Sequence, residues 1–130
     1  MSARHDHTPP APMAVEDRLR AWAVEDLDRI AVAMLIEERD LLSQPGVRRI
    51  LVVRTDDGVC ADWTRLSLRF RELKLDESAH AFMEVVLTIA LGRQVLLDCV
   101  LPLGERRLAV VLRGLAAWAG GDTIAVGTRS

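Results

Sequence analysis

The sequence contains no tyrosine and no asparagine, and Lys74 is the sole lysine among its 17 basic residues. That skew toward arginine, valine, alanine and leucine is the one expected of a GC-rich bacterial coding sequence. Aromatic residues make up only 4% of the chain, so a core has to be built from aliphatic side chains, with Trp22, Trp63, Trp118, Phe70 and Phe82 as its few large pieces. Cysteine is equally scarce. Cys60 and Cys99 stand far apart and match no CxxC or Cys/His ligand spacing, so the reading is two reduced, buried thiols. No Gly-x-Gly-x-x-Gly and no Gly-Lys-Ser/Thr occurs, which leaves dinucleotide and phosphate cofactors without support.

Long apolar runs are missing too. The first residues offer Arg4, His5, Asp6, His7 and three prolines, with no 7–15-residue apolar stretch of a secretory signal, so a cytoplasmic location is expected. The stretches Ala79–Leu91 and Leu108–Ala119 are interrupted by His80, Glu84 and Arg113 and fall short of the ~20 apolar residues a membrane span needs.

What is present suits one helix-rich domain. A chain of 130 residues, half of them hydrophobic, buries enough surface to fold without disulfides or metal. Residues 1–12 read as a flexible tail, broken by Pro9, Pro10 and Pro12. Residues 13–130 read as a single α+β domain, helix-dominated.

From Met13 to about Ser43, Val15, Leu19, Trp22, Ala23, Leu27, Ile30, Met34 and Leu41 recur at three- and four-residue steps, predicting one long N-terminal helix ended by Gln44-Pro45-Gly46. The tetrad Ala-Val-Glu-Asp at 14–17 recurs at 23–26, nine residues on. That interval is two and a half turns and puts the copies on opposite faces, so it reads as coincidence. Val47–Arg54 is the most strand-like run; Thr55-Asp56-Asp57-Gly58 supplies a turn, and Val59, Ala61 and Trp63 a return strand, predicting a β-hairpin at about 47–64. Over 64–73, Leu66, Leu68 and Phe70 fit a strand, whereas Leu66, Phe70 and Leu73 fit a helix capped by Asp62; the helix reading is preferred.

Asp76 starts a further helix with a buried stripe of Ala79, Phe82, Met83, Val86, Ile89 and Ala90, closed at Gly92. Residues 95–103 fit either a strand or a turn or two of helix. A last helix from Gly104 carries Leu108, Val111, Leu112, Leu115 and Trp118 as its apolar set and stops at Gly120-Gly121. Thr123–Val126 reads as a terminal strand joining the hairpin.

No catalytic centre is legible. A nucleophile needs a base held by a third group, and His80 is the one histidine inside the folded region. Glu77, His80 and Glu84 share a helical face and Glu-x-x-His is a di-iron spacing, but a second such motif is missing and the apolar stripe claims the inward direction. The expectation is therefore no catalytic residue, no cofactor and no metal.

Two other readings remain. Ile30 to Ile36 is apolar on every side, where a surface helix would show a wet face, so it must be covered on two sides. Ile30, Met34, Leu35 and Ile36 are the candidate association surface of a homodimer or of a small protein partner, which makes a non-enzymatic interaction or regulatory module the leading expectation. The alternative is nucleic acid. The formal charge of -2 excludes a uniformly cationic surface. Yet residues 47–75 hold seven cations against four acids, and residues 14–44 hold four against eight, so a local patch can form or the acidic helix can pack beside the basic region. The order of elements over 77–127, a helix, a short apolar piece, a helix and a strand, is similar to a winged helix-turn-helix, and that similarity implies DNA contacts from Arg106, Arg107 and Arg113.

Overall fold

The computed structural model describes residues 14–94 and 97–120. It is a helical assembly around one small hairpin: α1 (Val15–Trp22), α2 (Asp26–Glu38), α3 (Pro45–Leu51), β1 (Val52–Thr55), β2 (Gly58–Ala61), α4 (Trp63–Arg69), α5 (Glu77–Leu91) and α6 (Gly104–Trp118), with 3-10 turns at Phe70–Glu72 and Leu97–Val100. This is the expected helix-dominated α+β class. Among the described residues no helix is long and apolar enough to cross a membrane.

The single long helix expected over 13–43 is two helices. α1 ends at Trp22, Val24 turns out into solvent, and α2 begins at Asp26. The repeated tetrad marks the reason. Each copy leads into a helix start, placing Glu16 and Asp17 in the first turn of α1, and Asp26 with Asp28 in that of α2. Carboxylates there complement the partial positive charge of a helix N-terminus. The copies sit in different registers, the first beginning at the N-cap of α1 and the second at its C-cap, so what they share is acidic residues at a helix start.

The predicted strand over 47–54 is also shorter than expected. Pro45 occupies the first turn of α3, and Val47, Ile50 and Leu51, three and four residues apart, are all buried. Burial of that one face outweighs the β preference of Val and Ile. The hairpin proper pairs Val52 with Ala61, Val53 with Cys60, Arg54 with Val59 and Thr55 with Gly58, antiparallel. Gly58 takes φ 147°, a conformation that favours glycine. The preferred helix after Asp62 is there: the Arg65 N–H donates to Asp62 Oδ1 at 2.9 Å. Asp76 likewise accepts from the Ala79 N–H, and Gly92 closes α5 in the left-handed conformation. The open choice over 95–103 resolves at Leu97–Val100 as a 3-10 turn. The expected strand at 123–126 lies outside the described residues.

α2 and α5 form the centre. α2 packs against α1, α5 and α6, while α5 also meets α4 and the turn at Leu97–Val100. Phe82, Met83, Val86 and Leu87 of α5 interleave in the core with Leu35 of α2, Leu19 of α1 and Leu66 of α4. Trp63 Nε1 donates to Asp28 Oδ1 at 2.8 Å and ties the start of α4 to α2. A buried indole N–H is thereby satisfied.

Candidate interaction surfaces

The apolar run Ile30–Ile36 is covered by the chain itself. Ile30, Met34 and Leu35 are buried, Ile36 is half-buried and only Ala33 opens to solvent. The contact with α6 is close because Gly114 provides a notch: a Cβ there would lie 2.5 Å from Met34 Sδ. These four residues are therefore core rather than a docking face. The sequence requires cover for them, and α5 and α6 are that cover.

The arginines of α6 are likewise engaged within the chain, with carboxylates at the end of α2 and in the turn after it. Glu38 is fully buried and accepts from the Leu41 N–H at 2.9 Å through Oε1 and from Arg107 Nε at 2.9 Å through Oε2. Arg107, 15% exposed, also donates to Ser78 Oγ at 2.9 Å, and Ser78 Oγ donates on to the Leu103 carbonyl at 2.7 Å. Arg106 holds the Glu38 carbonyl at 2.7 Å and Asp40 Oδ2 at 2.7 Å. Arg113 pairs with Glu37. Between Glu38 and Asp40 the chain folds into a tight turn, with Arg39 at φ 75° and the Asp40 N–H donating to the Glu38 carbonyl at 3.0 Å. That φ is costly for a residue with a Cβ. Arg106 grips the same carbonyl from α6, so the turn and the ion pairs hold each other in place. The three arginines singled out as nucleic-acid contacts are engaged with carboxylates of α2 and the turn after it, and the wing of that alternative falls at 123–126, outside the described residues.

His80 stacks on Phe70, ring centroids 4.7 Å apart, with its Nδ1 3.8 Å from Glu84 Oε1. Glu77 is exposed and Glu84 and Thr88 are half-buried, so this is a wet face of α5. Among the described residues no three His, Cys, Asp or Glu side chains converge to hold a metal ion. Cys60 and Cys99 are both free and half-buried rather than fully buried. Burial, with the carboxylates of Glu84 and Asp98 adding to it, pushes the Cys99 thiol up from its ordinary range.

What the sequence reading missed lies on the outer side of α6. Leu112, Leu115 and Trp118, expected in its apolar set alongside the buried Val111, are exposed, Trp118 by 58% and Leu115 by 37%. They recur every three residues along one strip. Beside that strip is an apolar groove of about 590 Å³ between α5, the turn at Leu97–Val100 and α6, lined by Val85, Ile89, Cys99, Val100, Leu115 and Trp118. The available signal is a width argument. α2 needs only one stripe of α6, through Val110, Val111 and Gly114, and the apolar positions of α6 exceed that stripe. No protein-family model, no curated protein and no solved structure matches this chain.

Proposed function

We propose that the chain is a non-enzymatic interaction module that self-associates through the groove between α5 and α6 and the strip Leu112, Leu115 and Trp118 beside it. The carrying observation is Trp118, a mostly exposed indole at the lip of an apolar groove. Tryptophan is the side chain most enriched at the energetic centre of interfaces, and a ridge beside a groove on one subunit can pair with its own copy about a two-fold axis. The same reading places the module in a reducing bacterial cytoplasm, supported by two cysteines that form no disulfide.

Sedimentation equilibrium tests it. The wild type should sediment as a dimer, and Trp118→Glu or Leu115→Asp should give monomers with an unchanged circular-dichroism spectrum. A wild type that stays monomeric at the highest concentrations overturns the reading, and so does a Leu115→Asp protein that remains dimeric. Cys99 is an internal reporter: its alkylation should slow as the dimer fills the groove. Charges at Met34 or Ile36 do not make this test, because those side chains lie in or against the core.

A further inference from the structure

The acids and bases of this chain are unevenly matched in space. Arg20, Arg29, Arg69, Arg106, Arg107 and Arg113 each meet a carboxylate. Among the described residues Arg18, Arg48, Arg49 and Arg54 meet none, nor do Arg39, Arg65, Arg71, Lys74 and Arg93, but only the first four line one groove. Arg48 Nε donates to the Leu42 carbonyl at 2.7 Å, and the Arg49 carbonyl accepts from Arg65, adding a fifth guanidinium nearby. None of the acids of residues 14–44 forms an ion pair with these four among the described residues: Asp17 and Asp26 meet Arg20 and Arg29, Asp28 accepts from Trp63, and Glu37, Glu38 and Asp40 meet arginines of α6.

These four arginines come from three elements and line one groove of about 590 Å³. Arg18 comes from α1, Arg48 and Arg49 from α3, and Arg54 from β1. The strand register explains part of the convergence: Arg54 and Val52 share a face of the hairpin with Val59 and Ala61, and α1 packs against β2. The remaining described lining is apolar, Val15, Pro45, Val52 and Val59, with no carboxylate among it. Guanidinium groups stay charged at every working pH, so the repulsion among them is permanent unless an anion enters. β1 adds a second recognition element. Among the described residues it pairs with β2 alone in a two-stranded sheet, so no described strand takes up the main-chain N–H and C=O groups along its outer edge.

We infer that this groove binds an extended acidic peptide segment of a partner protein. Its alternate side chains, all carboxylates, would engage Arg18, Arg48, Arg49 and Arg54 with their methylene stems lying on Val15, Val52 and Val59, and its backbone would run beside β1. Carboxylates suit guanidinium forks through paired hydrogen bonds, and strand addition supplies affinity through the main chain. A nucleic-acid strand fits less well. Among the described residues no aromatic ring lines the groove for a base to stack on; Trp22 lies in the adjoining hollow, where Asp56 and Asp57 stand beside Arg18 and Arg54 and limit either ligand to a short run of charges. This inference uses none of the residues of the α5–α6 groove, so either can fail alone.

The test is fluorescence anisotropy with the full chain and a labelled peptide of about eight residues alternating Glu and Val, the pattern strand addition requires. A Lys-Val peptide of the same length and an oligothymidylate are the comparisons. The acidic peptide should bind, added salt should weaken it, and Arg49→Gln combined with Arg54→Gln should weaken it about tenfold or more. Arg18→Gln alone should weaken it severalfold and provides an independent reading should the double variant misfold. Absence of binding, equal binding of the Lys-Val peptide, or unchanged affinity in the variants overturns the inference. Tighter binding of oligothymidylate with the same arginine dependence also overturns it, by assigning the groove to phosphate.

Discussion

The two arginine clusters carry the same side chain in opposite circumstances. At the start of α6, Arg106 and Arg107 close on a buried carboxylate and a strained turn, whereas Arg18, Arg48, Arg49 and Arg54 surround an open groove with no acid among its described lining. The first arrangement joins three elements: the end of α2, the start of α5 through Ser78, and α6. The second forms no ion pair among the described residues. An arginine's role here is set by what faces it, and a charge count along the chain cannot reveal that.

Substitutions can break this contrast, and the largest effect belongs to the paired cluster. Glu38→Ala leaves Arg107 without its buried counter-charge and should cost about 3–5 kcal/mol, read as a shift in the urea midpoint. Gly114→Ala, in the helix that carries these arginines, drives a Cβ into Met34; about 1–3 kcal/mol of overpacking outweighs the roughly 1 kcal/mol gained in helix propensity. A smaller residue at Met34 should recover most of that loss, and a double-mutant cycle measures it. Arg106→Ala removes a more exposed partner and should cost only about 1 kcal/mol.

In the open cluster, Arg54→Gln should move stability by no more than about 0.5 kcal/mol in either direction, since it loses no ion pair among the described residues. A loss as large as that of Glu38→Ala would erase the distinction between the clusters. The smallest effect is on Cys99. Its raised pKa keeps the thiol protonated at neutral pH, so its alkylation rate should go on rising with pH beyond the range where an ordinary exposed thiol has levelled off.

Much of the fold could be read in advance. The starts at Asp62 and Asp76, the stop at Gly92 and the hairpin turn before Gly58 all rest on local chemistry, a side-chain acceptor for an unpaired N–H or a φ that glycine tolerates. The break after Trp22 was also written locally, in the second Ala-Val-Glu-Asp, but the continuous apolar period across it obscured the signal. Val47–Leu51 departs from its local signal for a different reason. Its β-branched composition suits a strand, and only the packing of Val47, Ile50 and Leu51 into the core makes it helical. The surfaces were harder still. Ile30–Ile36 correctly announced that it needed cover, but a single chain cannot say whether the cover is itself or a copy. Leu112, Leu115 and Trp118 have the periodicity of core residues and lie outside it.

By itself, the sequence determined a small helix-rich chain with one hairpin, its caps and stops, and an aliphatic core, because these depend on interactions within a few residues. Tertiary structure alone decided that Arg106 and Arg107 are bound to Glu38 while Arg18, Arg48, Arg49 and Arg54 are left to converge on a groove. Pairing between charges is a matter of distance in space, and the carboxylate that neutralises Arg107 lies 69 residues away along the chain.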